Sequence, residues 1–325
     1  MTRSPAGGEN ATKQLGITAP PNAVGHAFGL FGDEWTLLIM RLALTGTSKY
    51  SDFREQLPIS HAVLSSRLER LVGAGLFVRT LYQQRPPRYE YLFTRKGGAV
   101  WPLLVSIWNW ERRWAPTHQD STPPLRHLTC GNEMSPIYSC VHCHGAVVVD
   151  NVEVSWGPAG SWSRIVSDSN TRRRSNQRSR TGAFNFYPGA MSVFGNRWST
   201  VIVAAALFGV RRFSDFERVL GPPPLVLAER LAELCRFDVL DQVQLATHSN
   251  WSEYRLTDRG RDFFASLSIV VDWAETFYPD EEGAVLIRTH VPCGRPLQGV
   301  LICDHCDEIV HGSAIDISEA QMCFR

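Results

Sequence analysis

The sequence has almost no net charge, no long apolar run and little cysteine outside two clusters. Thirty-three Lys and Arg stand against 32 Asp and Glu, a formal net charge of +1. Whole-chain electrostatics therefore select no partner, and only local charge can. No apolar run approaches the ~18 residues a membrane span needs, so no membrane partner is expected. The most apolar stretch, TVIVAAALFGV from Thr200, is short enough to be a buried helix. The opening MTRSPAGGENATKQLGITAPP is polar and rich in Pro and Gly, without the charged, apolar and small-residue succession of a secretory signal. It reads as a disordered tail over 1–21. No Gly-rich phosphate loop and no Ser/His/Asp arrangement is found, so no enzyme is expected. The expected compartment is the reducing cytoplasm, where paired Cys/His spacings read as metal sites before disulfides.

What is present is arranged twice. Six of the eight cysteines lie in HLTCGNEMSPIYSCVHC (127–143) and HVPCGRPLQGVLICDHC (290–306), leaving Cys235 and Cys323. His127, Cys130, Cys140 and Cys143 recur as His290, Cys293, Cys303 and Cys306, each displaced by 290 − 127 = 163 residues. The same offset carries FGDEWTLLI from Phe31 onto FGNRWSTVI from Phe194. It carries YSDF (50–53) onto FSDF (213–216), EYLFTRKG (90–97) onto EYRLTDRG (253–260), and Trp110 onto Trp273. A gapless register of this length indicates tandem duplication of one unit, over roughly 22–158 and 186–320. Between the units, residues 161–180 hold six Arg against Asp168. This stretch reads as a solvated linker, or as a basic arm that touches phosphate.

Within the first unit, Glu34–Leu44 has the apolar content of a buried helix. A short helix begins near Ser51-Asp52-Phe53, with Ser51 as its N-cap, and ends at Pro58. Ser60 or a neighbour caps the next helix, where Leu64, Leu68 and Leu71 make one buried stripe. Two β-rich segments, 76–82 and 89–94, flank QQRPPR as a hairpin, and a final helix runs over about 96–113. GAVVVDNVEVSW alternates enough to form a second hairpin. Three helices and a hairpin make a winged helix-turn-helix, whose helix before the hairpin enters the DNA major groove. The residues expected to face DNA are Ser60, His61, Ser65, Ser66 and Arg67 on that helix, with Arg85 and Arg88 on the wing. Arg67 recurs as Arg230, so a structural ion pair is the alternative for it. Trp108, Trp110, Trp114 and Trp273 read as core or half-to-half contacts, with a ligand-binding aromatic box as the alternative.

The ordered run GDEWTLLIMRLALTGTSKYSDFREQLP, ISHAVLSSRLERLVGAGLFVR, PPRYEYLFTRKG and WPLLVSIWNWERRW resembles the HxlR-type winged-helix transcriptional regulators. The resemblance is close over about 24–114 and looser over 187–277. It implies a DNA-binding protein that dimerises through its terminal helices. With two fused units, it implies an internal pseudo-dimer on double-stranded DNA, with a further homodimer left open. Typical members carry one unit. Redox-sensing members carry a Cys before the first helix, and neither NAVGHAFGLFG nor FNFYPGAMSVFG supplies one.

One His and three Cys fill the tetrahedral set of a structural Zn²⁺, so each cluster is expected to hold one ion, about two per chain. His142, His144 and His305 are alternative ligands, and a redox-labile Cys140/Cys143 pair is the alternative chemistry. The expected architecture is α+β, mainly α: two tandem winged helix-turn-helix domains (22–118, 186–281), each followed by a small β zinc-ribbon-like element (119–158, 282–320), with the basic linker at 159–185. The expected function is sequence-specific transcriptional regulation. A thiol- or electrophile-sensing regulator and a non-DNA-binding scaffold remain as alternatives. The halves are not expected to bind DNA equally. Residues 60–95 hold six Arg against two acidic residues, 6 − 2 = +4, and the matching 223–258 hold three against six, 3 − 6 = −3. The second wing tip, THSNWS, has no Arg, and Pro223-Pro224 replace Ser60-His61.

Overall fold

The computed structural model describes residues 20–115, 124–166, 187–245, 248–317 and 320–321. The first half runs α1 (Ala23–Phe31), α2 (Glu34–Leu44), α3 (Tyr50–Gln56), α4 (His61–Gly73), β1 (Phe77–Gln83), β2 (Arg88–Phe93), α5 (Arg95–Gly98) and α6 (Trp101–Trp114). β3 (Leu125–His127), β4 (Glu133–Met134), β5 (Ile137–Cys140), β6 (Val152–Trp156) and α7 (Trp162–Val166) follow. The second half repeats the order as α8 (Pro188–Phe194), α9 (Arg197–Leu207), α10 (Phe213–Leu220), α11 (Pro224–Arg236), β7 (Leu240–Leu245), β8 (His248–Leu256), α12 (Asp258–Arg261) and α13 (Phe263–Phe277). It ends with β9 (Leu286–His290), β10 (Arg295–Pro296), β11 (Gly299–Ile302), β12 (Ile315–Ile317) and β13 (Ala320–Gln321). No helix among the described residues is long and apolar enough to cross a membrane.

Each half is a winged helix-turn-helix. Leu64, Leu68 and Leu71 of α4 are fully buried, as are their counterparts Leu227, Leu231 and Leu234 of α11. The wings are antiparallel hairpins, β1 with β2 and β7 with β8. Two boundaries differ from expectation. α3 starts at Tyr50 after Lys49, and Ser51 turns its hydroxyl to Asp52 at 2.8 Å instead of capping the helix. The expected last helix is broken into α5 and α6, with Thr94 capping the first turn at Gly97.

The two halves swap equivalent contacts. Trp110 Nε1 donates to the Arg259 carbonyl at 3.0 Å, and Trp273 Nε1 donates to the Lys96 carbonyl at 3.0 Å. Adding 163 to one member of each pair and subtracting it from the other turns one bond into its twin. Trp114 Nε1 donates to Asp262 at 2.7 Å, and Trp110 stacks on Phe263 at 4.1 Å. The tryptophans thus serve as core and inter-half contacts. Between α6 and α13 the buried hydroxyls of Ser106 and Ser266 meet at 2.8 Å. Asp33 and Asn196, the N-caps of α2 and α9, form a bridge across the halves. Approach there is close: a Cβ on Gly32 would sit 2.9 Å from the Arg197 Cα, so only glycine fits.

The segments after the winged helices exchange strands. β3 pairs with β12, β6 with β9 and β5 with β11, all antiparallel and all between halves. In the β5–β11 ladder Tyr138 faces Leu301, and 301 − 138 = 163, so the approximate two-fold passes through that pair. The sequence expectation of a self-contained ribbon after each winged helix is corrected here. The alternation of GAVVVDNVEVSW is real, but it does not fold back as a hairpin. A 3₁₀ turn at Val149–Asn151 leads into β6, whose partner is β9 of the other half. Period-2 patterning requires a neighbouring strand and does not specify which one.

The segment expected to be a plain linker from 159 begins instead with α7. Trp162, Ile165 and Val166 are buried, and Trp162 packs edge-on against Trp156. Arg164 pairs with Asp280 at 2.5 Å and with Glu282 at 3.0 Å, so the first of the six arginines is already neutralised. The other five lie outside the described residues, as does the expected tail through residue 19.

Candidate DNA interface and metal centres

The candidate reading surface of the first half is built by α3, α4 and the wing. Ser60 caps α4, its Oγ accepting from the Val63 amide at 3.4 Å. His61 and Ser66 are exposed, and the His61 ring Nδ1 lies 3.1 Å from the Tyr50 hydroxyl. Ser65 Oγ sits 3.2 Å from the same hydroxyl. Arg85 and Arg88 are exposed at the wing tip, and among the described residues no carboxylate pairs with either. A groove between these elements is lined by Tyr50, Arg54, His61, Tyr82, Arg88 and Tyr89. Sequence reasoning missed Arg54 and the tyrosines. The available signal was their grouping in KYSDFRE and LYQQRPPRYEY, next to the residues already singled out.

Arg67 does not face outward. Its Nε and Nη2 donate to Asp33 Oδ2 and Oδ1 at 2.7 and 2.8 Å, a bidentate pair that ties α4 to the start of α2. Burial alone would push the Asp33 carboxyl up. The Arg67 hydrogen bonds and charge, with the Thr36 bonds, outweigh that and hold it below its ordinary value. Of the two roles open to Arg67 in the sequence, the geometry gives the structural one. Arg70 is also held, donating to the Gly29 carbonyl.

The second half has lost this pattern. Asn196 stands at the position of Asp33, and Glu233 at that of Arg70. Arg230 therefore turns along its own helix to pair with Glu233. Arg236 pairs with Glu233 at 3.7 Å and Arg255 with Glu253 at 3.0 Å. Every arginine in the second reading window is thus in an internal ion pair. Arg54 has become Glu217, and Arg88 has become Trp251.

The eight cluster residues gather into two groups, but not the two that adjacency in sequence suggested. His127 and Cys130 meet Cys303 and Cys306; Cys140 and Cys143 meet His290 and Cys293. Each group takes a His-x-x-Cys from one half and a Cys-x-x-Cys from the other. His127 Nδ1 lies 3.6 Å from Cys130 Sγ and 3.3 Å from Cys306 Sγ, and Cys130 and Cys303 are 4.0 Å apart. In the second group His290 Nδ1 lies 3.4 Å from both Cys143 and Cys293, and Cys140 lies 3.9 Å from Cys293. Such spacings form the edges of a tetrahedron around one small cation, so both groups could hold a metal. His127, His290, Cys140 and Cys303 are buried. His142, His144 and His305 are exposed and belong to neither group.

Four short turns present these ligands. The Gly131 amide donates to the His127 carbonyl at 2.7 Å, and the Gly294 amide to the His290 carbonyl at 2.8 Å. The His144 amide donates to the Cys140 carbonyl at 2.8 Å, and the Asp307 amide to the Cys303 carbonyl at 3.1 Å. Each turn ends in a left-handed residue, with φ of 74° at Gly131, 67° at Gly294, 57° at His144 and 58° at Asp307. Closure of the turn points both side chains of an x-x pair to one side.

A family model for HxlR-like helix-turn-helix proteins matches residues 30–119 and 193–282. The uncharacterized HTH-type transcriptional regulator Rv3095 of Mycobacterium tuberculosis is 37% identical over 136 residues, 42% of this chain and 86% of that protein. The uncharacterized HTH-type transcriptional regulator YvaP of Bacillus subtilis is 35% identical over 89 residues, 27% of this chain and 82% of that protein. Among solved structures, PA1607 has a TM-score of 0.37 at 28% identity, covering 41% of this chain and 94% of its own. The redox regulator HypR in its oxidized form has a TM-score of 0.27 at 25% identity, covering 28% of this chain and 94% of its own.

Proposed function

From the premise that the chain belongs to the HxlR-like helix-turn-helix family and is a DNA-binding transcriptional regulator with an internal duplication, we propose that its first half is the main DNA reader. The observation that carries this reading is the different state of the arginines in the two halves. Arg54, Arg85 and Arg88 are exposed in the first half, whereas Arg230, Arg236 and Arg255 are neutralised by internal carboxylates in the second. Phosphate neutralisation supplies most non-specific affinity, so that electrostatic term is larger in the first half. Ser60, His61, Ser65 and Ser66 serve as the major-groove residues, and Arg85 and Arg88 as phosphate or minor-groove contacts. Arg67 fixes the helix that carries them. The second half supplies the partner surface of an internal pseudo-dimer, which the paired Trp110 and Trp273 contacts support. The five linker arginines beyond Arg164 add sequence-independent phosphate contact. A regulator of this kind works in the reducing cytoplasm.

Two Zn²⁺ per chain, one in each His-Cys₃ group, are the structural cofactors in this reading. Tetrahedral zinc with bonds of ~2.3 Å to sulfur and ~2.0–2.1 Å to nitrogen has ligand edges of about 3.6–3.8 Å. The separations from 3.3 to 4.0 Å bracket that range. Four protein ligands leave no open position, which fits structure and not catalysis.

Paired substitution tests the asymmetry. Arg85→Ala with Arg88→Ala should weaken specific binding in a gel shift by at least tenfold and flatten the log–log salt dependence by ~1.8, at ~0.9 per phosphate contact. Arg230→Ala with Arg255→Ala should change both by little. Equal losses from the two pairs would contradict the proposal.

A further inference from the structure

We propose that the two metal centres are shared staples: each thiophilic divalent cation is held by one ligand pair from each half, and specific DNA binding depends on both cations although no ligand belongs to the reading surface. This rests on the zinc reading above and goes beyond it, since an ion bound within one ribbon would add no bond between the two halves.

Three observations converge. The first is the partition of ligands, His127 and Cys130 with Cys303 and Cys306, and Cys140 and Cys143 with His290 and Cys293. The second is the backbone that carries them. β3, bearing His127, pairs with β12; β9, bearing His290, pairs with β6; and β5, bearing Cys140, pairs with β11. All three ladders cross between halves, so the ligand partition follows from the strand order and not from side-chain placement alone. The third is the seat of this body on the terminal helices. Tyr138 donates to Asp272 of α13 at 3.0 Å, and Arg288 donates to the same carboxylate at 2.6 Å. On the other side Asn109 of α6 donates to the Pro136 carbonyl at 3.1 Å. α6 and α13 in turn pack against the opposite half through Trp110 and Trp273. Removing a cation would leave one buried histidine and one buried cysteine of its group without the ion that joins them, on strands whose pairing joins the halves. The relative placement of the two winged helices would then lose one of its restraints, beside the contacts of Trp110 and Trp273. Structural zinc binding is folding free energy for the elements it joins, so the loss falls on this junction.

Double substitutions in the full chain, purified under reducing conditions, separate the two ligand partitions by metal content. Cys130→Ser with Cys303→Ser removes two ligands of one shared centre. Retention of one of the two ions is expected. Cys130→Ser with Cys140→Ser removes one ligand from each shared centre, and loss of both ions is expected. Ligation within each sequence cluster gives the reverse, no ion in the first variant and one in the second, and that result would overturn the proposal. Where serine variants do not fold, Cys130→His with Cys303→His in the Co²⁺-loaded protein keeps four ligands at every site. A shared arrangement leaves the wild-type d–d bands at half intensity. Their complete replacement would overturn the proposal. Wild-type protein with no bound metal would instead remove the zinc reading itself. For the dependence on both ions, the variant that keeps one should bind specific DNA at least tenfold more weakly than wild type, and unchanged affinity would overturn that part.

Discussion

Asp33 performs three tasks at once: it caps α2 through the Thr36 amide at 3.0 Å, holds Arg67 bidentately, and lies in the bridge to Asn196 of the other half. Loss of a partly buried, charged hydrogen-bonding partner costs roughly 1.5–3 kcal/mol. Arg67→Ala should therefore lower unfolding stability by about 2 kcal/mol in urea denaturation. Arg230→Ala, which breaks a pair along one helix surface, should cost under ~1 kcal/mol. The Asp33 carboxyl is held below its ordinary value. Its contribution is thus fully present above the unfolded Asp value of ~3.9 and is lost as pH falls through the lower folded value. The stability gap between wild type and Asp33→Asn should narrow below about pH 4. A gap that stays constant down to about pH 2 would contradict this account of Asp33. The sequence contained half of this story. Arg67 and Arg230 share an offset, which raised an ion-pair role, but the partner lies 34 residues away in a different helix. Only packing of α4 on α2 reveals it.

At the level of elements, the winged helices were legible because their signals are local. The Leu64, Leu68, Leu71 stripe, the Ser60 cap and the QQRPPR tip each depend on neighbours within a few turns. The ribbon strands were not legible. β6 alternates as a strand should, yet its partner β9 lies more than a hundred residues away, and alternation carries no address. The start of the linker was misread for a different reason. Trp162, Ile165 and Val166 form a single apolar turn inside a Ser/Arg-rich stretch, too short to register as a period. The terminal helices give a prediction at this scale. Trp110→Phe and Trp273→Phe each remove one indole N–H from a partly buried backbone carbonyl in equivalent settings. Each should lower stability by about 0.5–1.5 kcal/mol, and by similar amounts. A thermal melt showing one variant neutral and the other severe would contradict the matched packing of the two helices.

Over the whole molecule, duplication has kept the fold in both halves while the reading surfaces have diverged. The core is continuous across the halves, with Phe31 against Trp273 at 4.8 Å on one side and Trp110 against Phe263 at 4.1 Å on the other. Asn196 stands where the first half has Asp33, Glu217 where it has Arg54 and Trp251 where it has Arg88. The eight metal-ligand candidates were visible in the sequence as two equal sets. Their partition was not, because a two-fold exchange of ligands leaves the spacing within each set unchanged. The central claim is that one fused chain carries one effective DNA reader. Selection of bound DNA from a random pool, followed by footprinting at a measured protein-to-DNA ratio, tests it most directly. The account predicts one asymmetric half-site protected per chain, with a symmetric site requiring two chains. Two matching inverted half-sites protected by a single chain would contradict it.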